Sequence, residues 1–292
     1  MIKTRNGKIL NSNESQNKLL EKLYGSAAGR ILLKVLTAPI LSKAAGKFLD
    51  SPLSKDLIKP FIKSAKIDTS QYILTDIKCF NDFFARKIKP DARKFDMNPD
   101  SLISPCDSKL TAYKINSRSV FRIKGSYYRV ADLLASYSLA EKYKNGLCLI
   151  FRLEVDDYHR YCYIDNGTKS DNTFIKGVLH TVNPIALEHY NFYKRNCREY
   201  TTLHTENFGE VIQIEVGAML VGKISNHHGE AEFKRGDEKG TFLYGGSTIV
   251  LLMEEGKAVI DRDIVKNSAE GFETKVLCGE KIGRKSVISY KK

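Results

Sequence analysis

Two hydrophobic regimes follow one another along this 292-residue chain. Up to about Ile67 the apolar residues recur at helical spacing. In the segment 55–66, Leu57, Ile58, Phe61 and Ile62 share one side, while Lys55, Lys59, Lys63 and Lys66 fall opposite. Ile31, Leu32, Val35, Leu36 and Ile40 form a comparable stripe with Arg30, Lys34, Lys43 and Lys47 nearby, and Pro39 and Pro60 interrupt the run. The short motif Phe80-Asn81-Asp82-Phe83-Phe84-Ala85-Arg86 predicts an amphipathic turn that docks phenylalanines in a core. From Leu102 the period changes. Residues 110–115, 120–123, 148–155, 159–164, 174–182, 211–219 and 242–253 are β-branched or aromatic runs bounded by Gly, Asn and Asp, which predicts strands. The segments 130–134 and 185–193 read as helical inserts. The expected class is α+β: a helical, basic N-terminal layer over residues 1–67 and a β-rich body over 68–292.

Charge sharpens the first regime. The chain carries a net charge of +13, and residues 1–66 hold 13 Lys/Arg against four acids, an excess of nine. A basic amphipathic helix inserts its apolar face among lipid headgroups while its lysines meet anionic lipid. The alternative is a helical layer packed on the body with a solvated lysine face, and periodicity alone does not choose between them. Nucleic acid is disfavoured as a partner, because aromatic-basic strand motifs are missing and the charge is concentrated on the amphipathic segment. The longest uncharged stretch there, 35–42, is far shorter than the roughly 20 residues that cross a bilayer. The first ten residues are polar and basic with no apolar core behind them, so no signal peptide is expected and the protein reads as intracellular.

Six cysteines are scattered with no C-x-x-C pair. The expectation is reduced, core-filling thiols, with no structural metal site and no disulfide framework.

Candidate chemistry lies near the C-terminus, at Tyr244-Gly245-Gly246-Ser247-Thr248. Two glycines open backbone conformations closed to other residues, and such a bend brings the Ser247 hydroxyl onto the Gly246 carbonyl carbon. Alone, this is more often a glycine-kinked strand. Four other motifs are equally modest singly: Ser104-Pro105-Cys106-Asp107-Ser108-Lys109, Asp157-Tyr158-His159-Arg160-Tyr161-Cys162, Val182-Asn183-Pro184-Ile185-Ala186 and Glu215-Val216-Gly217-Ala218-Met219. An aspartate at a turn usually satisfies that turn, and a histidine in a strand is usually half-buried and structural.

Together, in this order, they resemble the phosphatidylserine decarboxylases, whose F-N-D-F-F-x-R, S-P-x-D-x-x-L, D-Y-H-R, V-N-P-I-A, E-V-G-A-M and G-G-S-T elements all appear. Asn207-Phe208-Gly209 and Lys234-Arg235-Gly236-Asp237-Glu238-Lys239-Gly240 add to the agreement, which spans roughly Cys79 to Gly283. The resemblance implies a self-made cofactor. Ser247 Oγ attacks the Gly246 carbonyl, the resulting ester eliminates, and hydrolysis leaves a pyruvoyl group derived from Ser247. The products are a β chain of residues 1–246 and an α chain of residues 247–292. The ketone then forms a Schiff base with phosphatidylserine, carbon dioxide leaves, and phosphatidylethanolamine is released. The resemblance also implies peripheral attachment to an anionic membrane, on the cytoplasmic side of the cell membrane. It leaves room for a homodimer without fixing the oligomeric state.

One position departs from the family. Its self-cleavage relay runs Asp–His–Ser, and the resemblance assigns the acid to Asp107 and the nucleophile to Ser247. The family reads D-Y-H-R-F-H, and its second histidine, the relay base, is Cys162 here. The first histidine, assigned in the family to proton handling during decarboxylation, is His159. Residues three apart on an extended strand point to opposite faces, so exchanging the two roles needs a bulge or turn. Three readings stand: Cys162 acts as a thiolate base, His159 serves both steps, or the chain is a non-processing, catalytically silent lipid-binding relative. A carboxylate beside a thiol disfavours the thiolate, which counts against the first. His159 sharing both steps is preferred, and His180 is a further compensating base.

Overall fold

Leu147–Leu153 and Ser247–Met253 are apolar at almost every position, the pattern of strands covered on both faces, and both are buried along nearly their whole length. They pair with each other antiparallel, Ser247 opposite Leu153 and Met253 opposite Leu147, at the centre of the main sheet. The computed structural model describes residues 1–10, 44, 46–116, 120–123, 126–176, 197–217, 223–243 and 247–286. Among these, the main sheet has eleven strands. Its middle runs Arg198–Thr205, Gly209–Val216, Ser247–Met253, Leu147–Leu153, Ser108–Lys114 and Glu273–Val276, each antiparallel to its neighbour.

The two faces of this sheet bury different partners. Cys148, Ile150, Ile212, Ile214, Val250 and Leu252 pack on one side with Val130, Leu133 and Leu134 of the short helix Val130–Leu134. Leu149, Phe151, Leu153, Ile249, Leu251 and Met253 pack on the other, with Tyr161 and Phe242. Those last two come from a three-stranded sheet of Arg160–Cys162, Glu238–Leu243 and Lys223–Asn226. The β-rich body is therefore as expected.

Differences at the edges have local causes. The chain was expected to be helical up to about Ile67, but Ile2–Lys3 and Ile9–Leu10 are strands, and the first runs parallel to Glu273–Val276. Two-residue strands carry no periodic signal, so only the sheet edge they meet identifies them. The expected 242–253 strand is two strands in different sheets, Glu238–Leu243 and Ser247–Met253. The strand expected at 159–164 shortens to Arg160–Cys162; of 174–182 and 211–219, Thr173–Ile175 and Gly209–Val216 are strands, and residues 177–182 and 218–219 lie outside the described residues. The stripe at 31–40, the helix at 185–193, His180, the Val182–Ala186 motif and Tyr244-Gly245-Gly246 lie outside the described residues.

Within the described part of the basic N-terminal region, a 3-10 turn, Pro52–Leu57, leads into the α-helix Ile58–Ala65. Ile58 is buried in a cluster with Leu49, Phe80, Phe83 and Phe84, against which Phe61 and Ile62 pack. The Phe61 and Phe80 rings meet edge to face at 5.1 Å. This part of the stripe thus faces the body, and Lys55, Lys59, Lys63 and Lys66 face solvent. Phe48, Leu53 and Leu57 remain exposed beside them.

Candidate active site

Ser247 opens a central strand. It is fully buried, and by strand alternation it shares the face of Ile249 and Leu251, turned toward the three-stranded sheet. Upstream, Phe242 N–H donates to the His159 carbonyl at 2.9 Å, and the Thr241 hydroxyl donates to the same oxygen at 3.3 Å. The strand carrying Phe242 ends at Leu243, so three intervening residues carry the chain to Ser247, a reach of about 14 Å at most. Backbone pairing thereby tethers the His159 segment to the approach to Gly246-Ser247.

His159 itself is buried. Its Nδ1 lies 2.9 Å from the Asp157 carbonyl oxygen, and its ring centroid is 4.1 Å from that of Phe84. A carbonyl oxygen only accepts, so Nδ1 carries the hydrogen and Nε2 is the basic nitrogen of the neutral ring. The phenylalanine-rich motif explains its own sequence here. Its helix Phe80–Phe84 supplies the packing ring, and Arg86 donates to the Asp156 and Asp157 carbonyls at 3.2 and 3.3 Å. Arg160 ties the same loop back, donating to the Ala85 carbonyl at 2.8 Å and to Glu238 at 2.6 Å.

The Asp157 side chain fixes this turn from within. Its Oδ2 accepts from Lys109 Nζ at 2.6 Å and from Glu154 N–H at 2.7 Å. Burial pushes the Asp157 carboxyl up to about 6, against the opposing pull of Lys109. Burial also disfavours the Lys109 charge, but Asp157 and Glu154 outweigh it and hold the ammonium protonated. Arg152 lies opposite Lys109 on one side and Thr248 on the other, and forms a bidentate pair with Glu273 at 2.9 and 2.7 Å. A buried ionic cluster thus reaches the strand pair next to Ser247.

Asp107 is held by other partners. Its Oδ1 accepts from Cys278 N–H at 2.8 Å and from Arg93 Nε at 3.0 Å, and Arg93 Nη2 bonds Oδ2. Both acceptor oxygens are engaged, and neither goes to His159. An Asp107–His159 hydrogen bond, the simplest form of a relay in which His159 serves both steps, is absent; the group that orients His159 is the Asp157 carbonyl. Asp107 instead neighbours Cys162 through Cys278, whose Sγ lies 3.7 Å from Cys162 Sγ. Cys162 Sγ is also 3.9 Å from the Ser104 carbonyl. The strand does carry a register irregularity between Tyr161 and Cys162, since Tyr161 pairs with Gly240 and Cys162 with Glu238. The extra residue, Lys239, belongs to the partner strand, so it does not turn Cys162 toward the partners of His159.

The remaining motifs meet as support. Fully buried Lys239 and Glu215 pair at 2.8 Å, and Asn226 accepts from Lys239 at 2.9 Å. Arg235 and Asn207 both bind Asp165. Arg93, Asp157 and Cys278 were not among the candidate residues. Asp157 stood inside the D-Y-H-R motif, but Arg93 and Cys278 reach Asp107 only through tertiary packing, which no spacing signals. Among the described residues, no cluster of three or more His, Cys, Asp or Glu is placed to hold a metal ion.

Known proteins resemble this sequence over most of its length. A sequence model of the phosphatidylserine decarboxylase family matches residues 80–284. The chain is 49% identical over 276 residues to the phosphatidylserine decarboxylase proenzyme 2 of Clostridium acetobutylicum, covering 94% of each chain. It is 43% identical over 274 residues to the phosphatidylserine decarboxylase proenzyme of Clostridium botulinum (strain Kyoto / Type A2), covering 92% of this chain and 93% of that one. It is 42% identical over 276 residues to the proenzyme of Clostridium tetani, covering 93% of each. The chain belongs to the phosphatidylserine decarboxylase family.

Proposed function

We propose that this chain is a self-processing phosphatidylserine decarboxylase that forms phosphatidylethanolamine and carbon dioxide. The observation that carries the reading is Ser247. It is the first residue of a central strand, it follows the two glycines, and its approach is tethered to His159. A pyruvoyl group derived from Ser247 fits this place, because pairing with Leu153 holds the new chain end in the sheet and the face it shares is apolar. When formed, that group supplies an electrophilic ketone for the substrate amine and an electron sink for decarboxylation.

This chain's own residues supply the rest. His159 Nε2, its tautomer fixed by the Asp157 carbonyl, is the proton-handling group for decarboxylation and the base for self-cleavage. Asp107 acts on the site through charge, held by Arg93, and Cys162 is not required as a base. His180 is the reserve base. The β chain of residues 1–246 and the α chain of residues 247–292 stay together, because Ser247–Met253 lies between two strands of the longer product. The named relatives, all called proenzymes, give no support to a catalytically silent reading.

The protein attaches peripherally to the cytoplasmic side of an anionic membrane through Lys55, Lys59 and Lys63, with exposed Phe48, Leu53 and Leu57 beside them. The basic N-terminal region of residues 1–67 serves this attachment and the body of residues 68–292 the chemistry. A homodimer is compatible with this arrangement.

The test uses purified protein and vesicles containing phosphatidylserine. Carbon dioxide release should be seen with wild type, lost in Ser247→Ala, and abolished by phenylhydrazine, which captures ketones. Release that survives both changes would contradict the reading.

A further inference from the structure

Two of the cysteines expected as isolated core thiols meet. Cys162 and Cys278 are 116 residues apart in sequence, and their sulfurs are 3.7 Å apart. The same short segment holds both. Cys162 N–H donates to the Pro105 carbonyl at 2.9 Å, Cys278 Sγ lies 3.5 Å from that carbonyl, and Cys278 N–H donates to Asp107 at 2.8 Å. Both cysteines also line one open cleft of about 330 Å³, whose charged lining is Lys87, Arg93 and Arg160 against the single acid Glu238. A thiol pair in contact, reachable from a cationic cleft, is placed for thiol–disulfide exchange with an anionic reagent.

We propose that Cys162 and Cys278 are an oxidation site, a dithiol that an anionic low-mass disulfide converts into a disulfide bond between the segments before and after residue 247. The Cys162 thiolate attacks one sulfur of the reagent, breaking its S–S bond and expelling one thiolate. The Cys278 sulfur then attacks the Cys162 sulfur of the mixed disulfide and expels the second. Two electrons pass from the protein to the reagent, and the two protons lost by the cysteines end on the two released thiols. The hydrogen bond to Cys162 and burial hold the Cys278 proton tightly, which gives Cys278 the second, resolving step. Closing the bond brings the sulfurs from 3.7 Å to about 2.05 Å.

A consequence, which rests on the cleavage proposed above, is that oxidation joins the β chain to the α chain covalently, on the side of the site where the family places its relay base. The oxidant is spent stoichiometrically, and a reducing thiol reverses the bond.

The experiment incubates reduced, full-length protein with oxidised glutathione under native conditions. Remaining thiols are alkylated after unfolding, and peptides are mapped by mass spectrometry. The expected product is one cross-linked peptide pair containing Cys162 and Cys278, lighter by two hydrogens than the separate peptides. Cys162→Ser and Cys278→Ser should each abolish it, and Cys148→Ser should leave it. The Ser247→Ala chain should give the same pair, so the bridge is tested whether or not the protein cleaves itself. In cleaved wild type, both chains should run together on a denaturing gel until dithiothreitol separates them. Full alkylation of both cysteines after oxidation, or a bridge to Cys106 instead, overturns the proposal. The cross-linked pair in a chain that never cleaves leaves the bridge standing and overturns the cleavage reading.

Discussion

His159 holds its place through a backbone carbonyl and a phenyl ring, so its own removal is the cleanest residue-scale test of its role. His159→Ala should leave the fold intact, stop carbon dioxide release and slow self-cleavage by roughly the 10²- to 10⁴-fold that a positioned general base contributes. Cys162→Ala should cleave at nearly the wild-type rate. If the two variants exchange phenotypes on a time-resolved gel, Cys162 is the base. The Lys109–Asp157 pair makes a separate prediction. Lys109→Met leaves the Asp157 carboxylate buried with its main partner gone, and should cost about 3–5 kcal/mol in denaturant unfolding. Asp157 also marks stability with pH. Its carboxyl is raised to about 6 in the folded protein from 3.8, so its contribution is complete below the lower value and is lost as pH rises through the upper one. Asp157→Asn should flatten the melting temperature across that window. A wild-type profile with no fall there would contradict the assignment.

At the scale of elements, legibility depended on how much pattern each one carries. The strands Leu147–Leu153 and Ser247–Met253 were readable because continuous apolar runs are what a doubly covered strand needs. The break between Leu243 and Ser247 was not, since both sides are apolar and only Gly245-Gly246 marks the change of sheet. The helix Ile58–Ala65 shows the limit of periodicity. Its stripe was legible, but a stripe does not say whether lipid or protein covers it, and here Phe61 and Ile62 meet the phenylalanines of Phe80–Phe84. Two faces of one element therefore give two separable predictions. Phe61→Ala should cost about 2–3 kcal/mol of stability, at the low end for a core phenylalanine because the ring is half-buried. Reversing the charges of Lys55, Lys59 and Lys63 should leave stability nearly unchanged and weaken binding to anionic vesicles, by about 1 kcal/mol per charge at most. Vesicle binding that does not change between low and high salt would rule out the electrostatic attachment.

For the whole molecule, the motif order carried the family, and the fold explains why the order matters. Segments distant in sequence converge: Phe84 on His159, Arg160 on Glu238 78 residues away, Lys239 on Glu215 24 residues away. None of these contacts is visible as spacing along the chain, because each joins different elements through tertiary packing or strand pairing. The engagement of Asp107 by Cys278 and Arg93 was likewise beyond the sequence, since it depends on a C-terminal turn delivering Cys278 N–H to that carboxylate.

The central claim is that this protein makes its own reactive group at Ser247, and intact mass of the purified wild-type chain tests it most directly. The account predicts two chains, residues 1–246 and a 46-residue partner beginning at position 247. The smaller chain should have no free amino terminus and should shift in mass with a carbonyl reagent, and Ser247→Ala should give one full-length chain. A wild-type protein that stays a single chain of 292 residues after prolonged incubation would contradict it.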